Sequence, residues 1–320
     1  MIIKPRQVPL MIRKLEALLK RLPLTHIRRK EIEEQYSKHM AGYKGEQSLD
    51  YYLSFLPEDY LILHDLRLKY NQYYFQIDTL ILTPFFIAIL EVKNHSGKLY
   101  FDHVHNQLIR THNQVEEVFS DPLLQAKRHK YQLAEWIKMH VYKKYIPIEP
   151  IVVITNQSSQ IKADPLLAKS IIRNTYIIEK VKELQSTYTD SSFSKKEILH
   201  LANLLVNHQT TKDINILEMY NLLESELIKG VHCPKCNRIP MAHHRGKWTC
   251  SHCSYGSKDA HQHTISDFLL LTNDYRISNK QLRKYLNLKS PSISRHYLKS
   301  MQMSYIGTTK NRVYLYDMKD

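Results

Sequence analysis

The segment QIDTLILTPFFIAILEVKN, residues 76–94, holds two carboxylates and a lysine that could act together on a phosphate. A chain reversal at Pro84-Phe85 pairs residues whose numbers sum to 169, so Asp78 faces Glu91 and Gln76 faces Lys93. Residues two apart in a strand point the same way, and these four side chains then share one face. Ile77, Thr79, Ile81, Ala88, Leu90 and Val92 fall on the other, which suits packing against a helix. Directly opposed like charges destabilise a strand pair. Two such carboxylates among apolar neighbours call for a cation, and a hard divalent metal such as Mg²⁺ supplies it, with Lys93 beside it for a water or a phosphate oxygen.

A second cluster is built for a different metal. All four cysteines lie within Cys233-Pro-Lys-Cys236 and Cys250-Ser-His-Cys253. Two C-x-x-C turns at this separation place four thiolates around one tetrahedral Zn²⁺, and a shell of four thiolates leaves no open position for a substrate. The zinc is therefore a structural one. His232, His243, His244 and His252 lie close enough in sequence that one could replace a cysteine.

Two further residues belong with the carboxylates. Glu46, Leu49, Leu53 and Leu56 follow a helical spacing, which puts Glu46 on a stripe that otherwise faces the core. A charge there is expensive unless it is paired; the alternative is the exposed edge of that stripe. Gln125 lies near the start of the helix that Asp121-Pro122 opens and could donate to a phosphate or a bound water.

Gly45-Glu46, Asp78, Glu91-Val92-Lys93-Asn94 with Gly97, and Asp121-Pro122-Leu123-Leu124-Gln125 together resemble the nuclease-related domain family, NERD, a relative of the PD-(D/E)XK nucleases. The resemblance covers roughly residues 40–155. It implies metal-assisted phosphodiester hydrolysis with Mg²⁺ or Mn²⁺, Asp78 and Glu91 as metal ligands and Lys93 positioning the attacking water. Glu46 and Gln125 are implied as supporting site residues. Ile77 precedes Asp78 where the superfamily motif has proline.

The elements that must position these groups are legible as changes of period. Residues 10–21 and 26–56 read as helices, the second closed by Pro57. Strands follow over Tyr60 to Leu68, Tyr73 to Leu82, Phe86 to Lys93 and Lys98 to Phe101. A helix then runs from Asp121 to about His140, strands fall at Ile151 to Thr155 and Thr175 to Ile178, and a helix at Ser194 to Val206. This order describes an α/β core with a mixed sheet, and the resemblance implies that it is a PD-(D/E)XK nuclease-like sheet flanked by helices.

Beyond the cysteines, helices are expected over Thr264 to Thr272, from Ser278 to Leu286, and from Ser290-Pro291 to Met301. A hairpin follows, with strands Ser304 to Gly307 and Val313 to Tyr316. The pattern resembles a winged helix-turn-helix. On that reading Ser292, Ser294, Arg295, His296 and Lys299 face a major groove, while Lys310 and Arg312 reach phosphate from the wing.

Charge follows the same division. Of a net +15, residues 1–40 carry +6, residues 41–228 carry −2 and residues 229–320 carry +11. A basic module on a neutral body points to a polyanion, and nucleic acid, DNA above all, is the partner of choice. No apolar run approaches the roughly 20 residues of a membrane helix, and the N-terminal residues lack the apolar core of a secretory signal, so a cytoplasmic protein without a membrane partner is expected. The expected organisation is basic helices at 1–40, the nuclease-like domain at 41–210, a connection at 211–228, the zinc ribbon at 229–258 and the winged helix at 259–320. The competing reading is a DNA-binding or regulatory protein without catalysis; against it, every acidic and basic position of the motif is filled.

Overall fold

The computed structural model describes residues 1–141, 145–191, 193–308 and 311–315. The chain forms two compact units, residues 1–8 with 40–212 and residues 9–39 with 213–320. It opens with β1 (Ile2–Lys4), α1 (Leu10–Arg21), α2 (Arg29–Gln47), α3 (Leu49–Leu53), β2 (Leu61–Tyr70), β3 (Tyr73–Leu82) and β4 (Ile87–Lys93). Then come β5 (Gly97–Asp102), β6 (Gln107–His112), β7 (Val115–Ser120), α4 (Pro122–His140), β8 (Ile148–Ile154) and β9 (Ser159–Ala163). After these run α5 (Pro165–Ala168), β10 (Ile171–Arg173), α6 (Ile177–Thr187), α7 (Lys195–His208) and α8 (Ile216–Met219). The last part holds β11 (Ala242–His244), β12 (Lys247–Thr249), β13 (Gly256–Ser257), α9 (Ala260–Thr272) and β14 (Arg276–Ser278). It ends with α10 (Asn279–Leu286), α11 (Pro291–Ser300), β15 (Ser304–Ile306) and β16 (Val313–Leu315).

In the first unit a mixed sheet runs in the order β1-β2-β3-β4-β8-β10. The pairs β2 with β3 and β3 with β4 are antiparallel; β1 with β2, β4 with β8 and β8 with β10 are parallel. Its central strands are buried on both faces, which is why Ile87 to Val92 is apolar but for Glu91. One face packs on Leu133, Trp136 and Ile137 of α4 and Ile198, Leu201 and Leu205 of α7. The other packs on Leu49 and Leu53 of α3 and Val181 and Leu184 of α6. A second sheet, β7-β6-β5-β9, lays Leu99, Phe101 and Leu108 against Leu123, Val152 and Ile154. The mixed α/β architecture and the strands expected through residue 101 are found.

Several expectations need correction. The helix expected over 26–56 is two helices: α2 begins at Arg29 and ends at Gln47, and α3 follows Ser48, over Leu49–Leu53. The strand expected at Thr175 to Ile178 is a 3₁₀ turn leading into α6, and the strand lies just before it, at β10. Residues 1–40 do not stand as one basic segment. Residues 1–8 add β1 to the edge of the main sheet, whereas α1 buries Leu15 and Leu18 in the second unit's core. The N-cap at Asp121 is as the sequence predicts, its carboxylate accepting Leu123 N–H at 2.7 Å.

In the second unit one apolar core joins Leu18 of α1, Phe268 of α9, Tyr285 of α10 and Leu298 of α11 with Cys233, Trp248 and Cys250. The zinc-ribbon and C-terminal segments, expected as separate domains at 229–258 and 259–320, thus share a core. The C-terminal part is helix, strand, two helices and two strands, with the sheet order β14-β16-β15.

Candidate functional site

The pairing of β3 with β4 has the predicted register: Leu82 with Ile87, Ile81 with Ala88, Leu80 with Ile89 and Thr79 with Leu90. Thr83 closes the Pro84-Phe85 turn, its hydroxyl accepting the N–H groups of Phe85 and Phe86. The ladder ends at Thr79 and Leu90, one pair short of Asp78 and Glu91. There the Asp78 carboxylate accepts the Val92 N–H at 2.8 Å, taking the place of a strand carbonyl, and the strands part.

The β2–β3 ladder is interrupted at the same level. Pairing skips Asp65 and Asp78 and resumes in the same register, and Asp65 holds φ +50°. Asp tolerates this left-handed conformation better than most residues. Leu63 and Leu66, and likewise Ile77 and Leu80, belong to one core face although each pair is three residues apart. The interruption turns two consecutive residues of each strand away from that face. Ile77 therefore does not share a face with Thr79 and Ile81, as strict alternation would have it. Gln76 does not join Lys93 either, since its amide bonds Asp65 Oδ1 on the neighbouring strand at 2.5 Å.

Around this opening the structure gathers Glu46, Asp78, Glu91, Lys93 and Gln125. Lys93 Nζ donates to Glu91 Oε1 at 2.7 Å and to Gln125 Oε1 at 3.4 Å. Glu91 is 1% exposed, and its Oε2 has no hydrogen-bond partner; His129 Nδ1, equally unpartnered, stands 3.5 Å away. Glu46, near the end of α2, reaches the site because Gly45 is a glycine. A Cβ there would sit 2.6 Å from Asn94 Cβ and 2.9 Å from Thr155 Oγ1, so a side chain would push the helix off the ends of β4 and β8.

Three residues absent from the sequence reading complete the surroundings. Arg6, 4% exposed at its side chain, donates to Glu46 Oε2 at 2.8 Å, Asp50 Oδ1 at 3.2 Å and Thr79 Oγ1 at 3.1 Å, and its NH2 lies 2.8 Å from His64 Nδ1. Lys4 donates to the carbonyls of His64 and Asp65 at the interruption. His129 sits one helical turn beyond Gln125 on the same face of α4, a spacing that could have singled it out. No local signal marks Arg6, which is 40 residues from Glu46.

Burial dominates the electrostatics of the site, and the neighbouring carboxylates add to it at Asp78. Burial, then Glu91 and Glu46, push the Asp78 carboxyl well above the ordinary range. Burial lifts Glu46 to about 7 against the pull of Arg6. Glu91 is held low: burial acts upward, but His129 and Lys93 outweigh it. Burial lowers Lys93, but Glu91 and Asp78 more than offset it, so the lysine stays cationic and serves as a donor. Asp78 and Glu91 together offer carboxylate oxygens, hard donors of the kind a divalent cation takes.

His64 makes a pH prediction. Burial, Arg6 and Lys4 push it down to about 3, so the folded state keeps it neutral while the unfolded chain takes up a proton below about 6.5. For this group the unfolded state then binds more protons between pH 6.5 and 3, and its contribution to stability falls as pH is lowered through that window. Glu46 and Asp78, both raised, act in the opposite sense over the same range, so the histidine is read as a difference. The urea-unfolding stability of the wild type minus that of His64→Asn is expected to fall as pH is lowered from 6.5 to 4, and a pH-independent difference would contradict it.

In the second unit the four thiols lie within 4.8 Å of one another. Among the described residues no other group of three or more His, Cys, Asp or Glu ligand atoms is as close. Cys233 to Cys253 and Cys236 to Cys250 are each 3.6 Å, far from a disulfide and close to the edge of about 3.8 Å that a tetrahedron of Zn–S bonds near 2.3 Å requires. Each turn closes on a left-handed residue, Asn237 and Ser254, whose N–H bonds the carbonyl of the first cysteine. Backbone N–H groups of Cys253 and His252 lower the Cys250 thiol to about 6. Against the Arg238 N–H, burial and the neighbouring thiols push its partner Cys236 up to about 12, so without an ion the cluster shares its protons. The four cysteines are close enough to hold a zinc ion. The nearby His232 and His243 stand outside the cluster, His232 against Thr264 and His243 Nε2 2.7 Å from the Tyr297 hydroxyl.

On α11, Ser292, Arg295, His296 and Lys299 are exposed. Ser294 is not: it is fully buried and donates to the Pro291 carbonyl, because it lies on the side of the helix that carries Tyr297 and Leu298 into the core. Arg312 stacks on Tyr305 at 4.1 Å, and Lys310 lies outside the described residues.

A mixed sheet between helices, with carboxylates and a lysine where two strands part, defines a nuclease-like α/β protein. In keeping with it, residues 41–155 match the family model of the nuclease-related domain, NERD. No curated protein and no solved structure matches the chain. The matched span contains Glu46, Asp78, Glu91, Lys93, Gln125 and His129 but not Arg6. No helix among the described residues is long and apolar enough to cross a membrane.

Proposed function

We propose that the protein hydrolyses phosphodiester bonds of DNA with Mg²⁺ or Mn²⁺ held by Asp78 and Glu91. The observation that carries this reading is the buried Glu91, with one oxygen on Lys93 and the other 3.5 Å from His129 Nδ1, beside an Asp78 whose carboxyl burial and like charges push well up. A bound divalent ion would neutralise the carboxylates and polarise the scissile phosphate. Lys93, cationic and tethered between Glu91 and Gln125, donates to the attacking water or a phosphate oxygen. Gln125 steadies the ammonium, and Arg6 holds Glu46 at the rim of the site.

The second unit brings the substrate. It holds 24 Lys+Arg against 13 Asp+Glu, a net +11, while the first unit carries only +4. Its helix–strand–helix–helix–strand–strand order supports a winged helix, with the exposed Arg295 and Lys299 of α11 toward the DNA. Replacing both by alanine is expected to weaken DNA binding and to reduce the slope of log K against log salt by about 2. An unchanged slope in a titration series would remove α11 from the interface.

The test of the activity is incubation of supercoiled, linear and branched DNA with the full chain and Mg²⁺ or Mn²⁺. Metal-dependent cutting supports hydrolysis. Intact DNA binding without cutting would favour the non-catalytic binder instead.

A further inference from the structure

The geometry points to a track for single-stranded nucleic acid on the β2–β3 hairpin, leading outward from the carboxylates. The inference depends on the nuclease-like reading for its place beside the site and names the form of substrate that reading takes. Along β3, Phe75 and Ile77 face the α4 and α7 core, while the alternate residues Gln76 and Tyr74 are exposed. Across from them on β2 lie Arg67, paired with Gln76, and Lys69, paired with Tyr74. The strip is continuous with the site: Gln76 bonds Asp65, whose charge acts on Glu46.

Two features of this strip suit a nucleic-acid strand. Tyr74 is 45% exposed on the strip, and Tyr73, at the hairpin end on the opposite side of the strand, is 68% exposed, so the hairpin shows aromatic surface to water. Residues 66–77 also contain Arg67 and Lys69 and no acid, and among the described residues neither cation makes an ion pair. Arg67 instead lies over the Tyr74 ring at 3.8 Å, its NH1 on Thr210 Oγ1 at 2.9 Å. Aromatic and guanidinium planes interleaved with cations stack unpaired bases and track the phosphates between them. A duplex hides its base faces and gains only the charge. At about 3.3 Å per residue Tyr74 stands about 13 Å along the strand from Asp78, the reach of a few nucleotides. A single strand seated on Tyr74 therefore delivers a phosphate to the opening between β3 and β4.

The test is photocrosslinking of the full-length protein to oligothymidylate carrying one 5-iodouracil, without divalent metal so that no cutting occurs, with mapping by mass spectrometry. Crosslinks are expected on the tryptic peptide 70–93 at Tyr73 or Tyr74, and the same label within a duplex is expected to give far fewer. Tyr74→Ala should lower the crosslink yield and the affinity of that site about 10- to 100-fold, Tyr74→Phe should restore both, and Lys69→Glu should weaken them independently of the ring. Crosslinks confined to the second unit, or equal yields from duplex, overturn the track. Crosslinking at Tyr73 or Tyr74 by a protein that cuts nothing upholds the track and overturns hydrolysis; cutting without it does the reverse.

Discussion

Asp78→Asn is expected to fold at least as stably as the wild-type protein in the absence of divalent metal, and to lose metal-dependent cleavage by about 10³-fold or more. The two effects have one cause. Burial and the charges of Glu91 and Glu46 make an ionised Asp78 costly, whereas asparagine is neutral and its carbonyl can still accept the Val92 N–H. Added Mg²⁺ should therefore raise the unfolding midpoint of the wild type and leave that of Asp78→Asn nearly unmoved. Lys93→Met should also lose about 10²- to 10³-fold in cleavage, but for the opposite electrostatic reason. It removes the partner at 2.7 Å from the buried Glu91, and losing one member of a buried pair costs about 3–5 kcal/mol, so this variant should unfold earlier. Calorimetry with and without Mg²⁺, beside a cleavage assay, separates the cases. Full cutting by both variants would remove the cluster from catalysis.

Cys233→Ser is expected to release the zinc and to melt the second unit around it. Cys233 is completely buried, and with Cys250 it belongs to the same core as Leu18 of α1, Phe268 of α9 and Leu298 of α11. A zinc ion held there would tie together segments that are far apart in sequence. Structural zinc in finger peptides contributes about 10–16 kcal/mol to folding near neutral pH, more than such a small module can replace by packing. One zinc per chain in the wild type, its loss in the variant, and protease cleavage spreading through residues 229–300 are the expected observations. A variant that stays folded without zinc would show that the core suffices. DNA binding should fall with the fold, because Arg295 and Lys299 are carried by α11, whose buried side rests in that core.

The features that the sequence determined are those written within a few residues or in a strict period. The sum rule for β3 and β4 was legible because Pro84-Phe85 fixes the centre of the turn and apolar residues run on both sides of it. The helix at 10–21, the cap at Asp121 and the two cysteine turns are local in the same sense. Glu46 was legible as a carboxylate on a buried stripe, though not how it is satisfied.

Tertiary structure decided the rest. Arg6 meets Glu46, Asp50, His64 and Thr79 across 40 to 73 residues of chain, and nothing in the neighbourhood of Arg6 distinguishes it from the other arginines of a basic N-terminal segment. The interruption at Asp65 and Asp78 defeats the alternation rule because pairing across two strands, with Lys4 on the freed carbonyls, holds a conformation that neither strand would choose alone. Ser294 faces inward and not toward a partner, since the rotation of α11 is set by where Tyr297 and Leu298 are buried. The division of residues 1–40 between the two units likewise follows from which sheet edge was open to β1 and which core received Leu15 and Leu18. Propensity and pattern act over one turn or one strand, whereas burial and the pairing of buried charge are settled only when distant segments exclude water from each other.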